Sequence, residues 1–288
     1  MSEKDTAMSI LLFGGSGAMG TAMERVCHSA GIECIQPTHA EVDVTDADAV
    51  AGSIVKHAPY VVINAVAIIG YDLCENDPVN AFRINSLPAS SMAKACEAQG
   101  ITFVQLSTHA VFDGRKNGPY TESDSPNPLN SYAATKYLAD LYCRNLCSRH
   151  YVVRLPTLFG PRRNDRPGFV DKVLEMAAKG AALRIADDKI DSPTYSIDAA
   201  SGLVGMLMDS LPHGVYHLAN HGSVSYFDFV AKLLQLTGFT ATLTPAKDSD
   251  FFFQGKKPLQ TAMASEKLQP LRPWEDALQE YLIKEGYN

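Results

Sequence analysis

The stretch Ser9-Ile10-Leu11-Leu12-Phe13-Gly14-Gly15-Ser16-Gly17-Ala18-Met19-Gly20 decides the fold. A short apolar run stops at glycines, and the residues after Gly17 open a helix predicted to reach Ala30. Glycines at 14, 17 and 20 give the spacing GxxGxxG. The first permits a tight turn, the second lets backbone N–H groups approach a pyrophosphate, and the third lets the helix pack closely on its strand. With Ser16, Ala18 and Met19 between them, these residues would seat a phosphate at the positive end of the helix dipole. Because the glycines sit between a strand and a helix, they point to a dinucleotide site rather than an incidental turn.

Reading outward from that loop, short β-branched runs alternate with longer helical stretches. Ser9–Phe13 is followed by its helix, 33–36 by a helix over 46–57, 60–64 by a helix over 78–99, and then comes a strand over 102–107. That alternation predicts an α/β fold, a Rossmann-type doubly wound parallel sheet. Asp46 fits a helix N-cap, and Gly31 and Gly100 fall where helices end. An irregular passage from Asp113 to Asn130 leads into a helix over 131–148 and a strand over 151–155. Pro156, Gly160, Pro161, Pro167 and Gly168 then interrupt the pattern. Beyond them, 215–218 reads as a strand, and 226–236 and 274–283 read as helices. These signals divide the chain into an NAD(P)-binding part, 1–160 with 190–222 returning to it, and a smaller C-terminal α/β substrate-binding portion, 161–189 and 223–288.

The chain has 288 residues, is 46% hydrophobic and carries a formal charge of −7, so it can bury a full core. It lacks the basic stripe that a nucleic-acid or anionic-membrane partner would require. The polar residues from Met1 to Met8 and the brevity of the following apolar run predict a cytoplasmic protein without a leader or membrane segment. Six cysteines, Cys27, Cys34, Cys74, Cys96, Cys143 and Cys147, show no CxxC spacing and read as reduced and buried. Cys143 and Cys147 share a helix face and could meet a metal, although packing is the simpler role and no metal is expected.

Cofactor choice depends on the end of the second strand, where an acidic side chain would hold the adenosine ribose of NAD. Here the residues are Gln36-Pro37-Thr38-His39. The missing carboxylate favours NADP(H), while NAD(H) stays open because no cation replaces it and Glu41 would serve if the strand ran longer. Asp43 and Val44 would border the adenine. Asn64, Ala65, Val66 and Ala67, after the third strand, would leave room for the cofactor, with Asn85 bracing a helix nearby.

Tyr132 and Lys136 lie four apart near a helix start, so both project from one face. A neighbouring ammonium should lower the phenol's pKa toward working pH, and Lys136 would also hold the nicotinamide ribose. Ser107 and Thr108 close a strand at its carboxyl end, where ligands bind in open sheets, and a hydroxyl there would steady a carbonyl oxygen. YxxxK by itself also occurs by accident on helices, and a strand-end hydroxyl often only caps a turn. His109 reads equally as a substrate or acid–base group and as a solvated loop residue.

With these residues in place, the chain resembles the extended short-chain dehydrogenases, and within them the dTDP-4-dehydrorhamnose reductase (RmlD-like) family. The likeness rests on Gly14 to Gly20, Ser107-Thr108 with Val111-Phe112-Asp113-Gly114, Pro128-Leu129-Asn130 before Tyr132-Ala133-Ala134-Thr135-Lys136, and Ser192-Pro193-Thr194-Tyr195. Gly214 to Asn220 and Arg272-Pro273-Trp274 extend it toward the C terminus. The resemblance implies a catalytic triad of Thr108, Tyr132 and Lys136, reduction of a nucleotide-linked 4-keto-6-deoxy sugar or related ketone, and a homodimer as in many members. His109 and Ala110 stand where the family has Asp and Tyr; Ile69 and Thr157 replace a threonine and a tryptophan; Lys257 replaces an arginine. Those five positions imply a rebuilt substrate pocket. Arg154 and the pair Arg162-Arg163 could attract a diphosphate, or could anchor a strand end and a solvated loop. Two other readings share the scaffold: an epimerase or dehydratase that retains NAD, and a noncatalytic NADP-binding regulatory subunit.

Overall fold

Along β1 (Ser9–Phe13), Ile10 and Leu12 pack into one hydrophobic cluster while Leu11 and Phe13 pack into another. This is the consequence of a two-residue side-chain repeat in a strand covered on both faces. The computed structural model describes residues 8–163 and 167–287. The polar stretch Met1–Ala7, on which the expectation about a leader rested, lies outside the described residues.

The chain continues through α1 (Ala18–Ser29), β2 (Glu33–Ile35), α2 (Ala47–His57) and β3 (Val61–Asn64). Then come α3 (Tyr71–Asn76), α4 (Pro78–Asn85), α5 (Leu87–Gln99), β4 (Thr102–Thr108), α6 (Ser131–Leu146) and β5 (His150–Leu155). The C-terminal half holds β6 (Leu158–Phe159), α7 (Phe169–Ala178), β7 (Leu183–Ala186), β8 (Ile190–Asp191), β9 (Thr194–Tyr195), α8 (Ser196–Met208) and β10 (Gly214–His217). It ends with β11 (Asn220–His221), β12 (Val224–Ser225), α9 (Tyr226–Thr237), β13 (Leu243–Ala246), β14 (Leu271–Pro273) and α10 (Trp274–Lys284).

Six strands form one parallel sheet in the order β10-β5-β4-β3-β1-β2. Successive strands step outward in opposite directions from β1, so a crevice opens at the carboxyl ends of β1 and β3, the usual place for a ligand. One face of the sheet carries α1 and α8, whose Ala22, Met23, Leu203 and Leu207 cover Ile10, Ile63 and Val153. The other is covered by α2, α5 and α6 through Val50, Ile54, Met92, Ala139 and Cys143. Each fully buried Leu or Ile contributes about 1.5–3 kcal/mol. A third core lies away from the sheet, where Phe159, Leu174, Tyr195, Phe229, Trp274 and Tyr281 pack between α7, α9 and α10.

The helix predicted over 78–99 is broken at Ser86. Pro88 explains the break: it has no N–H to donate, and its ring would strike the carbonyl four residues earlier. Ser86 turns its hydroxyl to the Thr135 carbonyl at 2.8 Å, which ties the break to α6. Strand β2 ends at Ile35, and Glu41 accepts from the Thr38 N–H and hydroxyl at 2.7 and 2.8 Å. Glu41 is therefore spent on its own turn, not at the strand end. Cys143 and Cys147 are buried and free, with their sulfurs toward backbone carbonyls, and no metal-binding cluster occurs among the described residues. No helix there is long and apolar enough to cross a membrane.

Candidate active site

The glycine loop owes its shape to close backbone contacts. Gly14 has φ +93°, and a Cβ on it would stand 2.7 Å from the Ala65 carbonyl carbon; one on Gly20 would stand 2.5 Å from the Gly15 backbone. Gly17 differs, because a Cβ there would meet nothing nearer than 3.8 Å. Its outer side is open. No side chain caps the α1 N-terminus and no acidic residue occupies its first turn, so its N–H groups and dipole are left for an anion. The loop thus fits a dinucleotide pyrophosphate. Beside it, Asn64 is buried and joined to Gln105 at 2.8 Å, while its oxygen accepts from Val66 N–H at 3.1 Å. Asn85 accepts from Ile68 N–H at 2.7 Å and donates to the Ile68 carbonyl and the Thr135 hydroxyl, both at 3.2 Å. The segment Ala65, Val66, Ala67 is thereby pinned between the loop and α6. Thr38, His39 and Asp43 are exposed and Val44 is buried; Asp43 turns to the Thr45 N–H and hydroxyl, which hold its carboxyl below the usual range.

Helix α6 places the expected catalytic pair. Asn130 caps it by accepting from Ala133 N–H at 2.9 Å, and Glu75 accepts from Ser131 N–H at 2.7 Å. Its buried residues Ala133, Lys136, Ala139, Asp140 and Cys143 follow helical spacing, so two ionisable groups lie on the face that packs against the sheet. Half-buried Tyr132 lies one turn before Lys136, and the Thr108 hydroxyl at the end of β4 favours its ionised form. Thr108 Oγ1 also accepts from Ala110 N–H at 3.1 Å. Lys136 Nζ donates to the Leu106 carbonyl at 2.7 Å, and burial brings its pKa down to about 8 against the pull of Asp140.

One electrostatic expectation is overturned. The phenol of Tyr132 is not acidified; burial pushes its pKa up to about 12, and only the Thr108 hydroxyl opposes this. Lys136 turns one N–H to Leu106 and is itself weakened as a cation by burial, so desolvation of the phenolate prevails. Below these residues, Asp140 pairs with Arg154 at 3.4 Å, both fully buried, and Arg154 lies 5.3 Å from the centre of the Phe112 ring. Burial raises the Asp140 carboxyl, while Arg154, the Ser107 hydroxyl and Lys136 draw it down. Arg154 is therefore an internal counter-ion and does not reach a diphosphate.

A pocket is lined by Thr157, Phe159, Phe169, Asp191, Pro193 and Tyr226 among others. Thr157 bonds the Tyr226 hydroxyl at 2.9 Å and donates its N–H to Asp191 at 3.2 Å. Tyr71 stands edge-on to Tyr132, ring centres 5.9 Å apart. Lys189 spans this group, its ammonium 5.9 Å from the Tyr71 ring centre and 4.9 Å from that of Tyr226. Burial holds its pKa down. His109 is buried, not a solvated loop residue; it lies 3.8 Å from Asp191, and desolvation keeps it neutral by lowering its pKa. Lys257 pairs with Asp248 at 2.6 Å and lies over Phe253. Of the other expected pocket residues, Ile69 is 72% exposed and Ala110 is 1% exposed.

The sequence reading missed Tyr71, Asp140, Asp191, Lys189 and Tyr226. Asp140 had a signal, a carboxylate four residues after Lys136 on an otherwise apolar face. The others come from three separate segments, around Tyr71, around Lys189 and Asp191, and at Tyr226, and no local spacing joins the three.

A family model, the RmlD substrate binding domain, matches residues 8–286. The dTDP-4-dehydrorhamnose reductase of Streptomyces griseus is 28% identical over 281 residues, covering 94% of this chain and 91% of that protein. Among solved structures, a dTDP-4-dehydrorhamnose reductase from Clostridium acetobutylicum superposes with a TM-score of 0.92 at 27% identity, covering 97% of this chain and all of the other. The Bacillus anthracis reductase in complex with NADP gives 0.91 at 23% identity, over 97% of this chain and 100% of that one, which bears on the fold alone. Matched over nearly its whole length, the chain belongs to the RmlD substrate-binding-domain family.

Proposed function

We propose that this chain is an NADPH-dependent reductase of a carbonyl on a nucleotide-linked 4-keto-6-deoxy sugar, working in the cytoplasm. The observation that carries the reading is the meeting of Thr108, Tyr132 and Lys136 at the carboxyl end of β4, beside a glycine loop open at Gly17. The names of the relatives supply the substrate class. NADP(H) is favoured by the uncharged end of β2, with NAD(H) as the alternative. This reading goes with the division drawn from the sequence, in which 1–160 with 190–222 would hold the cofactor and 161–189 with 223–288 would bear on the sugar.

The nucleotide would lie along Gly14 to Gly20 and Asn64 to Ala67, near Ser107 and Asn85. When bound, its nicotinamide supplies a hydride to the carbonyl carbon. Tyr132 Oη gives its proton to the carbonyl oxygen. A phenol held near 12 is fully protonated at neutral pH, which is the form a reduction needs. The Thr108 hydroxyl, which favours the ionised phenol, would steady the charge that develops on Tyr132. Lys136 has two N–H groups beyond its bond to Leu106, enough for a ribose hydroxyl and for the charge that develops on Tyr132. Lys189 offers a buried ammonium to the substrate diphosphate, and His109 and Thr157 offer neutral partners to the sugar.

The test follows NADPH oxidation at 340 nm with a panel of nucleotide 4-ketosugars and simple ketones, in the wild type and in Tyr132→Phe. The variant should lose about two orders of magnitude or more in kcat. Equal rates would remove Tyr132 from the chemistry. NAD that survives purification on the wild-type chain would instead favour an epimerase or dehydratase.

A further inference from the structure

The end of β2 governs nucleotide choice, and the local sequence puts no cation there. The fold brings one from elsewhere. Arg163, in the loop after β6, donates its backbone N–H to the Ser16 carbonyl at 3.1 Å and its Nη2 to the Gly15 carbonyl at 2.8 Å and to Gln36 Oε1. Gln36 is the first residue after β2. Its Nε2 donates to the Gly20 carbonyl at 2.9 Å, which turns Oε1 toward Arg163. Its side chain lies so close to the loop that a Cβ on Gly15 would stand 2.6 Å from Oε1. The glycine loop, the end of β2 and the 161–163 segment therefore meet around one guanidinium.

We propose that Arg163 is the residue that selects the 2′-phosphorylated nucleotide, with Gln36 as its positioning residue and Glu24 as a counter-ion that the phosphate replaces. The assignment rests on the cofactor reading above. Gly15 and Gln36 offer neutral carbonyls, which orient the guanidinium without cancelling its charge. Among the described residues the anion paired with it is Glu24, at 2.8 Å, in a pair whose side chains are 44% and 47% exposed. Such a pair contributes little in water. A 2′-phosphate would bring about two negative charges and oxygens that match the planar fork of arginine, whereas the ribose hydroxyl of NAD would bring one neutral bond. Exchange of Glu24 for phosphate is therefore favourable, and exchange for a hydroxyl is not.

The experiment measures binding alone: NADPH and NADH are titrated, by nicotinamide fluorescence, into the wild type, Arg163→Met, Arg163→Lys and Glu24→Gln. Loss of one charged hydrogen-bonding partner should weaken NADPH by about 10- to 100-fold in Arg163→Met and leave NADH within about threefold. Arg163→Lys should recover part of the loss, because it keeps the charge without the fork. Glu24→Gln should tighten NADPH. Adenosine 2′,5′-bisphosphate should follow NADPH, and ADP should follow NADH. Equal weakening of both nucleotides would make Arg163 a mere clasp on the loop and overturn the assignment, as would an undiminished NADPH preference in Arg163→Met. A wild-type chain that bound neither nucleotide would overturn the cofactor reading and this assignment together.

Discussion

Replacing Lys136 by methionine should make the protein more stable and inactive. The ammonium is 4% exposed, and its pKa falls from the ordinary lysine value of 10.5 to about 8. A fall of about 2.5 at 1.36 kcal/mol per pH unit corresponds to roughly 3 kcal/mol of folding stability forgone at pH 7. Methionine has similar length and no charge to desolvate. It gives up the bond to the Leu106 carbonyl, but that oxygen keeps a second donor, Gln105 Nε2 at 2.8 Å. Asp140 keeps Arg154. Allowing about 1.5 kcal/mol for the lost charged hydrogen bond leaves a net gain of about 1–2 kcal/mol. The sign of the pH dependence follows from the same displacement. Between pH 8 and 10.5 the unfolded chain binds a proton at this lysine that the folded chain does not, so wild-type stability rises with pH. The advantage of Lys136→Met should be full below pH 8 and fade as pH climbs to 10.5. Urea unfolding of both proteins at pH 7, 8, 9 and 10 would show this. A variant less stable at pH 7, or a difference that stays constant over that range, would refute the claim that the site holds its ammonium at the expense of the fold.

Three further changes probe other parts of the site. Gly17→Ala should weaken nucleotide binding tenfold or more with stability within about 1 kcal/mol, since its Cβ has space in the chain but fills the place kept for phosphate. Gly20→Ala should lose both binding and roughly 1–3 kcal/mol, because its Cβ would strike the Gly15 backbone; calorimetry of the two variants side by side separates these outcomes. Asp140→Asn leaves the Arg154 guanidinium buried without its anion and should cost about 3–5 kcal/mol in urea unfolding; a cost below about 1 kcal/mol would mean that the pair contributes little. Lys189→Met should raise KM for the nucleotide sugar about tenfold with kcat within about threefold, the pattern of lost uniform binding, and an unchanged KM would place the diphosphate elsewhere.

What could be read from the sequence was local. The glycine loop, the Asp46 cap and the Tyr132–Lys136 pair each lie within one element, where strand and helix periods fix which residues share a face. Helix α8 escaped because Ala199, Ala200, Leu203, Val204, Met206 and Leu207 bury it widely, so no narrow apolar stripe marks it. Helix α3 escaped because six residues make too short a pattern. The acidity of Tyr132 escaped for a different reason. Spacing places an ammonium near a phenol, but whether attraction or desolvation prevails depends on how much water the folded site admits, and burial there is set by residues as distant as Tyr71. The same limit governs cofactor choice. Inspection of the end of β2 finds no cation within several residues, and the guanidinium that meets Gln36 comes from 127 positions further along the chain. A local motif can therefore point to a nucleotide site, while the charge proposed to discriminate between nucleotides comes from a loop after β6 that becomes adjacent only when the chain has folded.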